Sequence, residues 1–245
     1  MMRVRWLPFV LPLAVFMLVG ALEPTPETPG GKAVGLAIPY SAYPIVYTLK
    51  IAATVAALLC CWPAYRRFPF RLGWLGIAAG VVGVVVWIGL CSLKIEENYL
   101  VPLLKPLGLD GLIAAGHRSG FNPFVELAAQ PLWAYAFLAL RLFGMAAVVP
   151  LVEEFLYRGF LTPFVTRQDW WNVPQGEASR AAIAMAIVLP MAMHPAELLA
   201  AAAWFGMVAW LFVRTRNVWE CIAAHAVTNL LLGVYVVVWG EWSLM

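Results

Sequence analysis

Charge is scarce in this sequence, with 16 lysines and arginines and 13 acidic residues among 245, or 12% charged against 63% hydrophobic. No polar stretch is long enough to build a second, water-exposed domain, and a formal net charge of +3 is too small for a nucleic-acid footprint. The four cysteines, Cys60, Cys61, Cys91 and Cys221, lack metal-ligand spacing and read as inert core residues. There is no HExxH helix and no internal repeat, so neither the usual zinc-peptidase helix nor a transporter of paired halves is indicated. Histidine occurs only three times. What remains is hydrocarbon, and a mean hydropathy of +0.83 is that of a polytopic membrane protein.

The apolar runs set the architecture. After a basic start, 6–21 reads as a first membrane helix; Val19-Gly20-Ala21 resembles a signal-peptide cleavage site, but the chain beyond is itself polytopic, which favours an uncleaved helix. A Pro/Gly-rich loop over 23–43 leads to spans at 44–63 and 72–93, separated by the basic turn of Arg66, Arg67 and Arg71. Residues 94–130, broken by Pro102, Pro106 and Pro123, are expected to form short interfacial helices. A fourth span covers 131–150, two helices share 181–213 and meet near Pro190 and Pro195, and a last span covers 218–240. The expectation is an all-α polytopic transmembrane bundle of about seven membrane helices plus interfacial helices. It is one integral membrane domain, with N-terminal helices over 1–130 and a catalytic core over 131–245.

The basic residues orient this bundle. With the N-terminus cytoplasmic, Arg3, Arg5, Arg66, Arg67, Arg71, Arg158, Arg167, Arg180, Arg214 and Arg216 fall inside, whereas Lys32, Lys94, Lys105 and Arg118 fall outside. Trp62, Trp74, Trp170, Trp171, Trp219 and Trp242 lie near span ends, as an aromatic belt requires.

Against this background one stretch stands out, Leu151-Val152-Glu153-Glu154-Phe155-Leu156-Tyr157-Arg158-Gly159. A charge at a helix centre costs roughly 2.5–3.5 kcal/mol, so these groups require a protein-lined or watered cavity. Glu154 and Arg158 are four apart with the acid first, the favourable order for an ion pair. Glu153, turned about 100° around the axis, is left over from that pair, and such a carboxyl suits a general base. The competing reading is a charge cluster that anchors a helix end at the membrane surface.

Downstream, His225 and Asn229 share one face of the last span, and His194 precedes Pro195 at a kink. Singly, each histidine reads as a structural residue. Together, Glu153, His194, His225 and Asn229 are the types that activate water and steady an oxyanion. Arg141, mid-span, reads as a bundle residue more readily than as a substrate-carboxylate ligand; Glu220 reads as interfacial, and Tyr157 as packing within reach of Glu153.

Glu153-Glu154-Phe155-Leu156-Tyr157-Arg158 resembles the EExxxR motif of the CAAX protease and bacteriocin-processing family of intramembrane proteases, and His225-Ala226-Val227-Thr228-Asn229 resembles its HxxxN motif. Where that family usually has FxxxH, this chain has Pro190-Met191-Ala192-Met193-His194, with proline replacing phenylalanine. The resemblance covers about 131–240, and His194-Pro195-Ala196-Glu197 is similar to the bacterial subgroup that accompanies exosortase and PEP-CTERM sorting systems.

The resemblance implies an integral-membrane endopeptidase of the bacterial inner membrane that cuts near the C-terminus of a membrane-associated or lipidated protein. In that reading Glu153 takes a proton from water with help from His194, His225 and Asn229 hold the oxyanion, and Glu154 and Arg158 shape the site. No cofactor is implied; the alternative is Zn²⁺ on Glu153, His194 and His225. The alternative function is a non-catalytic membrane protein of the same fold that binds a peptide, lipid or sorting partner. The expected partners are the bilayer and a protein or lipidated peptide, not nucleic acid. One geometric difficulty stands: at the far end of a simple 180–194 helix, His194 would lie too near the outer face to meet His225.

Overall fold

The computed structural model describes residues 5–26, 38–109 and 120–245, and among them the regular structure is helical. Arg3, Lys32, Arg118 and the loop residues 27–37 lie outside that set. Five helical runs are long and apolar enough to cross a membrane: Tyr40–Tyr65, Trp74–Leu107, Pro131–Thr166, Pro195–Thr215 and Val218–Trp239. The chain is thus an all-α polytopic protein. The other two expected membrane helices are present but short, at 14 residues for Leu7–Gly20 and 12 for Arg180–Met191. At 1.5 Å per residue they reach roughly 21 and 18 Å, less than a hydrocarbon core of about 30 Å.

The α-helical segments are α1 (Leu7–Gly20), α2 (Tyr43–Tyr65), α3 (Trp74–Ser92), α4 (Val101–Leu104), α5 (Pro123–Glu126), α6 (Pro131–Phe143), α7 (Val149–Leu156), α8 (Thr162–Thr166), α9 (Arg180–Met191), α10 (Leu198–Thr215) and α11 (Val218–Trp239). Apolar composition favours helix throughout, because helix satisfies every backbone group within its own segment. Prolines sit in the first turns of α2 and α6, where no amide partner is lost. The Asn217 side chain accepts from the Trp219 amide at 3.0 Å and starts α11. Gly240, with φ 76°, ends it in the left-handed turn that glycine adopts without strain.

Helices α6, α7 and α8 form one 36-residue run from Pro131 to Thr166, interrupted by two π-helical turns, Gly144–Val148 and Tyr157–Leu161. The acidic motif therefore lies well inside a continuous helix and not just beyond the end of a 131–150 span.

Helix α3 lies against α11 through a face of small residues, Gly76, Ala79, Gly80 and Gly83. A Cβ on Gly80 would come within 2.6 Å of the Val227 Cβ, and one on Gly83 within 2.8 Å of the Thr228 Oγ1. The backbones approach closely because glycine is there. Thr228 Oγ1 donates to the Gly80 carbonyl at 2.9 Å, and Trp204 Nε1 donates to Thr228 Oγ1 at 3.1 Å.

Two residues read as interfacial are instead buried. Glu220 is 5% exposed and accepts from the Gly76 amide at 2.6 Å, so its carboxylate serves the N-terminal turn of α3. Trp219 is 8% exposed and donates to the Phe68 carbonyl, which makes it core and not belt. Arg158, counted among the inner-face cations, is 2% exposed and lies in the bundle interior.

Candidate active site

Glu153, His194, His225 and Asn229 line one cavity of about 350 Å³. Helix α9 starts at Arg180, as expected, and ends at Met191, after which the chain turns through 195–197 into α10. His194 lines the same hollow as the other three, so the separation from His225 expected of a simple 180–194 helix does not arise.

The ion pair expected within the motif is formed, with Arg158 Nε 3.2 Å from Glu154 Oε2 and both side chains buried. Glu154 does more than pair. Its Oε1 lies 3.0 Å from His225 Nδ1, so one carboxylate ties the motif helix to α11. The π turn Tyr157–Leu161 begins where the Glu154–Arg158 pair is made, and such turns recur at functional sites.

The two imidazoles make different contacts. His225 presents Nδ1 to Glu154 and its ring to the Trp204 indole at 4.5 Å, which leaves Nε2 as the nitrogen that can serve a ligand. His194 Nδ1 lies 2.9 Å from the Pro190 carbonyl, an acceptor, so Nδ1 carries hydrogen and the neutral ring has its lone pair on Nε2. Trp87 and Phe205 brace that ring at 5.5 and 5.8 Å. Asn229 donates through Nδ2 to the Met145 carbonyl at 2.9 Å, which fastens α11 to the first π turn.

Glu153 lines the same cavity and is not without a partner, so the residue left over from the Glu154–Arg158 pair is not an isolated carboxyl.

Part of the wall has no signal in local sequence. Lys50, inside α2, is 6% exposed and pairs with Glu23 at 2.5 Å, while its ammonium sits over the rings of Phe16 and Tyr47 at 4.4 and 4.5 Å. Arg141 is 4% exposed and donates to the main-chain oxygens of Phe121 and Met245 at 2.7 and 2.6 Å. The partners lie 27, 20 and 104 residues away, beyond any helical spacing. Among the described residues no three His, Cys, Asp or Glu side chains converge as a metal-holding group. Glu153, His194 and His225, considered for zinc, line the same hollow.

Fold and site together define a class, a polytopic helical membrane protein with a carboxylate–imidazole cavity buried between its helices. Residues 134–231, which carry every motif residue above, match the family described as Rce1-like, type II CAAX prenyl endopeptidase Rce1-like. That stretch is similar to the CAAX protease family over its matched length. Comparison with curated proteins and with solved structures gives no match.

Proposed function

We propose that this protein is an intramembrane endopeptidase that cleaves a membrane-associated or lipidated protein near its C-terminus, using water activated by Glu153. The observation that carries the reading is the shared cavity, where Glu153, His194, His225 and Asn229 meet although they come from three separate parts of the chain. In the proposed cycle Glu153 removes a proton from water while His194 Nε2 accepts the water's other hydrogen bond. The water oxygen attacks the scissile carbonyl. His225, doubly protonated with Nδ1–H on Glu154, donates from Nε2 to the oxyanion, joined by the second N–H of the Asn229 amide. The C–N bond breaks as Glu153 returns its proton to the leaving amine, giving a new carboxylic acid and a new amine, and the acid then passes its proton to the amine to leave a carboxylate and an ammonium.

No step requires a metal or another cofactor. We place the N-terminus in the cytoplasm and the protein in a bacterial inner membrane, on the asymmetry of its basic residues. The His194-Pro195-Ala196-Glu197 stretch supports a place beside exosortase-type sorting systems.

A prenylated peptide in liposomes is the probe, because the family is described by prenyl endopeptidases. Glu153→Gln is expected to lower the cleavage rate about 10²- to 10⁴-fold while binding persists, and His225→Ala about 10²- to 10³-fold. Wild-type rates in Glu153→Gln would refute the mechanism. Binding without cleavage by wild type would leave a non-catalytic sorting protein. Loss of activity on exhaustive chelation, restored by zinc, would replace water activation by glutamate alone.

A further inference from the structure

The cavity lining combines two chemistries. Glu153 and the imidazoles are one. The other is two buried cations, Arg141 and Lys50, set among aromatic rings, with Tyr43, Tyr47 and Phe16 beside them. Aromatic rings connect the two cations: the Arg141 guanidinium lies 5.8 Å from the Tyr43 ring, that ring lies 6.0 Å from Tyr47, and the Lys50 ammonium sits 4.5 Å over Tyr47. Placing one such charge inside a bundle is costly, and placing two together is more so. Glu23 answers Lys50. Arg141 is answered differently: its hydrogen-bond partners among the described residues are main-chain oxygens, one of them belonging to Met245. Leu244 and Met245 themselves line the cavity, brought there by the 3₁₀ turn Trp242–Leu244.

We propose that Arg141 and Lys50 form an anion-binding subsite that holds the terminal carboxylate of the substrate, where the 244–245 segment now meets the arginine. A guanidinium offers a planar fork of donors matched to a carboxylate, and the ammonium supplies a second charge. The subsite rests on the peptidase reading and adds a ruler to it. Arg141 and Glu153 lie on one helical run, twelve residues or roughly 18 Å apart along its axis. The π turn Gly144–Val148 takes up an extra residue, about 100° of phase. That offsets most of the 120° by which twelve residues would otherwise rotate Glu153 away from Arg141. In consequence Arg141, Met145, Val149 and Glu153 all face the same hollow. At about 3.3 Å per extended residue, less the reach of the two side chains, a carboxylate held at Arg141 places the scissile bond about three to five residues upstream.

The test uses prenylated peptides that end either in a free carboxylate or in a carboxamide, with the full-length protein in liposomes of zwitterionic lipid or of zwitterionic lipid with phosphatidylglycerol. Binding is read on the Glu153→Gln protein and cleavage on wild type, with the released fragment weighed by mass spectrometry. The free acid is expected to bind about 10- to 100-fold more tightly than the amide. That preference should collapse in Lys50→Met and in Arg141→Gln, return in part in Arg141→Lys, and accompany a released fragment of three to five residues. Lys50→Met is a second, independent variant that leaves the Arg141 bonds to Phe121 and Met245 in place.

Equal binding of acid and amide, or a preference that survives both Lys50→Met and Arg141→Gln, overturns the subsite. So does dependence on phosphatidylglycerol without an acid–amide difference, which would assign the cations to a lipid headgroup. An acid preference without any cleavage leaves the subsite standing and removes the peptidase reading.

Discussion

Glu154 is the residue on which the site turns, because it serves Arg158 and His225 at once. Its neighbour Glu153 has a different task, and two variants separate them. Glu154→Gln leaves a buried guanidinium without its mate, a loss of about 3–5 kcal/mol, and releases the imidazole, so melting temperature and cleavage should both fall. Glu153→Gln should leave the melting temperature near wild type while cleavage falls; a parallel loss of stability would make Glu153 a structural residue. The Glu154–Arg158 pair was legible because helical spacing alone brings the two together. The Glu154–His225 bond was not, since 71 residues separate its ends. Glu220 misled for a related reason: a carboxylate beside a span end looks interfacial until the partner helix whose amide it accepts is known.

At the scale of elements, the spans were legible and the exceptions were not. Hydrophobic length gave α2, α3 and α11 to within about two residues, and Pro190 and Pro195 marked the break between α9 and α10. That α9 does not cross depends on what it packs against, which no window of sequence contains. The π turns were equally silent, for nothing in Gly144-Met145-Ala146-Ala147-Val148 distinguishes a wide turn from an ordinary one. Their effect is measurable. Deleting Ala146 should convert the first π turn to α-helix and rotate Glu153 by about 100° relative to Arg141. Helicity by circular dichroism should hold and cleavage should vanish; a deletion variant that cleaves normally would show that the phase does not matter. On the other side, Gly80→Leu should break the α3–α11 approach, because the space for its Cβ is already taken by Val227 and by the Ala224 carbonyl. Thermal unfolding in detergent is the readout, with a fall expected to exceed that of a lipid-facing Val85→Leu control.

At the scale of the molecule, the two sides of the cavity are built differently. On one side α3, α10 and α11 meet through glycine, threonine and the Trp204 indole, with hydrogen bonds across the contact. On the other, aromatic rings from α1 and α2 and the 242–245 turn close over the hollow. The all-α polytopic class follows from composition alone, but this asymmetry does not, because it is made by contacts between separate segments, such as Gly80 and Thr228, 148 residues apart.

The glycine-lined junction of α3 and α11 also says where this scaffold can be re-engineered. A seam with no spare volume tolerates no repacking, so selection for new substrates will find its useful changes at Phe16, Tyr43 and Leu244, which face the hollow from the looser side. Libraries confined to α11 should yield mostly inactive proteins.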